Sequence, residues 1–181
     1  QSHIGAGDDN ARPFNARDER AWRKFLEDVT GMGYTLLITE FDVNDTPFER
    51  ATKAGRTGRI AIAVDTSGSI DESLLNRFAA EVAAVLEKTE PLLRLIVCDA
   101  DVHQIHDLSG REGAELLRGF KFRGGGGTDF RPAITEAAKW KPDLLIYLTD
   151  LEGDAGVDPT FPVLWAVPEG KAAAPWGKII E

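Results

Sequence analysis

Five consecutive apolar residues, Ile60-Ala61-Ile62-Ala63-Val64, run directly into Asp65-Thr66-Ser67-Gly68-Ser69. A run this short and this uniformly apolar has no solvent face, so it predicts a strand buried on both sides in the middle of a parallel sheet. Such a sheet needs helices above and below it, and the sequence supplies them. Leu74, Leu75, Phe78, Ala79, Val82, Val85 and Leu86 recur at helical spacing up to Pro91. Ile134, Ala137, Ala138 and Trp140 do the same between Pro132 at a helix start and Lys141-Pro142. Further strands are expected over residues 92–97, 144–148 and 163–167, with a short helix over 111–117 and an edge pairing at Ile179-Ile180. The tight Cys98-Asp99-Ala100-Asp101 link leads into Val102, Gln104, Ile105 and His106, which predicts an antiparallel hairpin strand. The expected fold is therefore α/β and three-layered, with a doubly wound, mostly parallel sheet, one antiparallel hairpin strand and a short N-terminal helix-strand appendage.

In an open parallel sheet, ligands lie beyond the carboxyl ends of the strands. Three segments carry oxygen donors there: Asp65, Ser67 and Ser69 after the first strand, Thr149-Asp150 after residues 144–148, and Thr128-Asp129 after the four glycines 124–127. Hydroxyls with carboxylates suit magnesium, which takes about six oxygens and keeps some of its water. Asp65, Ser67 and Ser69 alternate, so an extended turn points all three the same way, and the glycines let the Thr128 loop approach without side-chain clash. Helix capping accounts for Ser67 and Ser69 but not for Asp65 or Thr128. Asp99 and Asp101 read as hairpin-turn residues, and Asp129 as a residue that bonds backbone in its own loop. His103 and His106 are three apart on a strand and face opposite sides, which argues against a zinc pair.

Asp65-Thr66-Ser67-Gly68-Ser69, Thr128 and Asp150 together resemble the metal-ion-dependent adhesion site of von Willebrand factor A domains, and all five positions of its pattern match. Over about residues 57–181, the segments 64–70, 98–100, 124–130 and 142–145 resemble more narrowly a bacterial group of A-like domains of unknown function, often found after a metallopeptidase-like region. The resemblance implies a divalent-cation-dependent protein-binding module. Asp65, Ser67, Ser69, Thr128 and Asp150 would hold Mg2+ or Mn2+, and another protein would supply a carboxylate to the metal. Metal-assisted hydrolysis of a phosphoester or peptide is the alternative, with Asp129, Glu152 and Asp154 as candidate bases. Around Ser67 there is no G-x-S-x-G elbow and the glycine run has no lysine, so serine hydrolase and P-loop readings lack their central residues.

Residues 1–48 read differently, with 49–58 as a linker and 59–181 as the A-like domain. Trp22, Phe25, Leu26 and Val29 form a helical stripe closing at Gly31, and a strand is expected over residues 34–43. Leu37-Ile38-Thr39-Glu40-Phe41-Asp42-Val43 resembles the nucleophile strand of family 10 xylanases, and Gln1-Ser2-His3 the end of the strand before it. That resemblance makes Glu40 the nucleophile and His3 its neighbour. A retaining glycosidase needs a second carboxyl group about 5.5 Å away, and the barrel strand that carries it is missing. The segment is thus expected to be a non-functional fragment, and glycoside hydrolysis through Glu40 ranks last among the functions.

Composition limits the partners. The formal net charge is -9 with a pI near 4.9, so the overall field repels nucleic acid and anionic membrane. One cysteine, Cys98, sits in an apolar run and reads as a buried thiol in a reducing compartment, and no apolar run approaches membrane-spanning length. A cytoplasmic location is expected.

Overall fold

In the computed structural model of the protein, residues 15–32, 34–38, 59–67, 72–88, 92–122, 126–150, 161–168 and 178–179 are described. The chain runs α1 (Ala16–Gly31), β1 (Tyr34–Ile38), β2 (Arg59–Asp65), α2 (Glu72–Lys88), β3 (Leu92–Cys98), β4 (Val102–Leu108), α3 (Gly110–Arg118), α4 (Arg131–Trp140), β5 (Leu144–Leu148), β6 (Val163–Pro168) and β7 (Lys178–Ile179). These strands form one seven-stranded sheet in the order β4-β3-β2-β5-β6-β1-β7. The four central strands are parallel, β2 lying between β3 and β5, with β6 beyond β5. β4 turns back antiparallel on β3, as its short link predicts.

Side chains alternate across the central strands, as the strand period of two requires. Ile60, Ile62 and Val64 of β2 join Leu93, Leu95 and Val97 of β3 in a core against α1, α2 and α3. Ala61 and Ala63 join Cys98, Leu145, Tyr147 and Trp165 in a second core against α4. The layers are therefore helix, sheet, helix. On the α4 side Tyr147 stacks on Trp165 with ring centroids 5.1 Å apart, and Phe130 meets Tyr147 edge-on. Ala63 of β2 lies beside Tyr147 of β5, a small residue next to a large ring in the same buried layer.

Two features exceed the sequence reading. α1 and β1 are built into the domain body: Trp22, Phe25 and Val29 lie in the same core as β2 and α2, and β1 pairs antiparallel with β6 through five residue pairs. β7 then pairs antiparallel with β1, so that edge of the sheet is antiparallel too. α1 is well started. Asn15 accepts the N–H groups of Arg17 and Asp18, while Asp18 returns a bond to the Asn15 N–H, a reciprocal cap that satisfies donors a helix start leaves open. Gly110, at the start of α3, has φ +56 and so occupies the left-handed region where glycine carries no penalty.

Candidate metal centre

Because β2, β3 and β5 are parallel, their carboxyl ends share one edge of the sheet, and the polar residues gather there. Asp65 ends β2 and is 1% exposed. Its Oδ2 accepts the Thr149 hydroxyl at 2.6 Å, and its Oδ1 accepts the Ser67 N–H at 2.9 Å. The Ser67 hydroxyl donates to the same carboxylate. Thr149 and Asp150 follow β5 and are both buried. Burial raises the Asp65 pKa above its ordinary value, the Thr149 and Ser67 bonds oppose the rise, and the negative charge of Asp150 adds to it.

β3 supplies the anchor for both flanking loops. Thr66 donates its N–H and its hydroxyl to the Cys98 carbonyl, at 2.8 and 2.9 Å, which ties the turn after β2 to β3. One residue on, the Asp99 carbonyl accepts the Asp129 N–H at 3.3 Å, and Asp99 Oδ2 accepts the Gly126 N–H at 3.2 Å. The Asp99 Oδ1 takes the Asp101 N–H at 3.1 Å and lies 2.7 Å from His103 Nε2. Burial would raise this carboxylate, but the bonds from His103, Asp101 and Gly126 outweigh it and hold the pKa below its ordinary value.

Four of the five expected metal residues are described. Asp65, Ser67 and Asp150 are buried at one place, linked by the Ser67 bonds and by the Asp65–Asp150 repulsion. Thr128 is half-buried on a loop pinned to the end of β3. Ser69, like Glu40, His3, Glu152 and Asp154, lies outside the described residues. Asp129 takes the Arg131 N–H and Nε on Oδ1 and the Arg131 guanidinium again on Oδ2 at 2.7 Å, and these bonds lower its pKa. Beneath the site, Cys98 Sγ lies 3.3 Å from the Tyr147 hydroxyl, and burial pushes the thiol up to about 12. That thiol is inert at neutral pH.

His103 contacts Asp99 while His106 Nε2 pairs with Gln104 at 2.9 Å, so the two histidines serve different neighbours. Among the described residues no group of three or more His, Cys, Asp or Glu is placed to hold a metal. The sequence places Thr149 among the oxygen donors and Asp99 in the hairpin turn, without showing that either holds the site together. Thr149 carried a usable signal, a hydroxyl after a wholly apolar strand and next to Asp150. Asp99 did not, because its turn role is local and its partner Gly126 is 27 positions away.

The layered sheet and its polar carboxyl edge define an α/β domain of the von Willebrand factor A type. A family model described as VWA-like domain (DUF2201) matches residues 60–181. The chain belongs to that family. No curated protein and no solved structure matches it. The xylanase resemblance of residues 1–48 is not supported by these comparisons.

Proposed function

We propose that the carboxyl edge of the sheet binds one divalent cation, Mg2+ or Mn2+, through Asp65, Ser67, Ser69, Thr128 and Asp150. In this reading the domain is a binding module whose partner protein supplies a carboxylate to the metal. The observation that carries the reading is the burial of two like-charged carboxylates together, Asp65 at 1% and Asp150 at 2% exposure. Buried charges of one sign are costly unless a counter-charge joins them. Among the described residues the groups bonded to Asp65 are the Thr149 hydroxyl and Ser67, and no imidazole or thiolate joins them. That set suits a hard cation. The bound ion would supply positive charge and a place for an anionic partner group.

Binding fits the residues better than catalysis does. A hydrolase would need a base beside the metal, and Asp129, the described candidate, is engaged by Arg131 on both oxygens with its pKa lowered. No described helix is long and apolar enough to cross a membrane. The single buried thiol suits a reducing compartment, and a cytoplasmic location belongs to the same proposal. The test is thermal unfolding with and without divalent cation. An ion at 100 times its Kd stabilises by about 2.7 kcal/mol, which raises Tm by about 5–11 °C for a chain of this size. Asp65→Asn removes the response. An equal rise in wild type and variant would defeat the assignment.

A further inference from the structure

We propose that Asp99 is the positioning residue that docks the glycine loop onto the end of β3 and thereby sets where the Thr128 hydroxyl stands. Its consequence for the cation rests on the metal reading above, while the docking contact stands without it.

A hairpin turn accounts for only one side of Asp99. The turn uses Oδ1, which takes the Asp101 N–H, and the Asp99 N–H, which donates to the Asp101 carbonyl at 2.9 Å. Oδ2 and the Asp99 carbonyl point elsewhere, to Gly126 N–H and Asp129 N–H. These two bonds bracket Thr128, one from each side. His103 Nε2, 2.7 Å from Oδ1, fixes the plane of the carboxylate and so the direction of Oδ2. The approach is close enough to dictate the residue. A Cβ on Gly126 would lie 2.8 Å from Asp99 Oδ2 and 3.2 Å from its Cγ, whereas a Cβ on Gly127 would meet nothing within 4 Å. Of the two described glycines of the run, Gly126 is the one whose missing side chain the contact requires. Asp99 is 7% exposed, and among the described residues this set of donors compensates it for losing water.

The experiment combines Asp99→Ala, Gly126→Ala, the double variant and Gly127→Ala. Mn2+ affinity is read by calorimetry, and hydrogen exchange over residues 120–130 is read in metal-free protein. Asp99→Ala and Gly126→Ala should each weaken Mn2+ binding tenfold or more, the lower end of about 10–100-fold for groups that orient metal ligands. The double variant should be no weaker than Asp99→Ala alone, because the added methyl no longer meets a carboxylate. Gly127→Ala should bind as wild type does, and Asp99→Ala should speed exchange in the loop. Strict additivity, or equal weakening by Gly126→Ala and Gly127→Ala, overturns the inference; the second comparison decides it if Asp99→Ala does not fold. If wild type takes up no Mn2+, the metal reading falls and the exchange arm decides the docking alone. Unchanged loop exchange in Asp99→Ala then refutes it.

Discussion

Asp65 is a carboxylate kept where ionisation is unfavourable, buried and close to the charge of Asp150. Its pKa is raised in the folded protein, so the folded state holds the proton more tightly than the unfolded chain does. In metal-free protein its contribution to stability is therefore greatest below the unfolded value and is lost as pH rises through the raised folded value. Asparagine has the same shape and carries no charge: its Oδ1 can accept the Ser67 N–H, and its amide N–H can donate to the Thr149 hydroxyl with that bond reversed. In EDTA at pH 7, Asp65→Asn should melt at least as high as wild type, and the two should converge as pH approaches 4. With saturating Mn2+ the order should reverse, because the variant gains nothing from the ion. A variant that melts well below wild type in EDTA would show that the charge is compensated by the protein alone. The side chain was legible from its place after a buried strand. Its bond to Thr149 was not, since the two are 84 positions apart.

At the level of elements, α1 is where local pattern and final context part company. Its apolar stripe predicts a helix, and the helix is there. The stripe says nothing about what it packs on, because any apolar face would satisfy it. In the fold Phe25 meets Phe78 of α2 edge-on at 5.8 Å, and Trp22 has no exposed surface. Trp22→Ala should cost about 3–5 kcal/mol, lowering Tm by about 6–20 °C in a single transition shared with the rest of the domain. If far-UV and tryptophan signals instead separate into two transitions, with the main one unmoved, α1 is a separate piece and the shared core carries little energy. The strands were the most readable elements. Residues 60–64 and 144–148 are apolar throughout, and both strands are buried on both faces in the centre of the sheet.

Among the described residues the candidate site lies on one edge of one sheet, an arrangement unlike the one glycoside hydrolysis would need. Glu40 carries a xylanase-like local sequence, yet hydrolysis with retention needs a paired carboxyl group at about 5.5 Å and a cleft made by barrel loops. The described strands form an open seven-stranded sheet and not a barrel. Purified protein should show no turnover of xylan or of an activated aryl xyloside. Turnover abolished by Glu40→Gln would mean that another carboxylate, such as Asp8 or Asp9, completes the pair, and the ranking of functions would have to be reversed. In the proposed reading the net charge of -9 suits a partner met through a bridging cation better than one met through phosphate, since an ion would let two anionic surfaces approach.

Strand and helix identities, the helix-sheet-helix layering and the three loops bearing oxygen donors could all be read along the chain. Each follows from a periodicity or a polar break a few residues long, and such signals are complete within their own segment. Strand order beyond the parallel core could not be read so. The insertion of β1 between β6 and β7 joins segments far apart in sequence, and no signal within any one of these segments names its partner. The same holds for Asp99 and Gly126: an aspartate in a turn and a glycine in a run are each ordinary alone, and become a loop anchor only when β3 brings them within 3.2 Å.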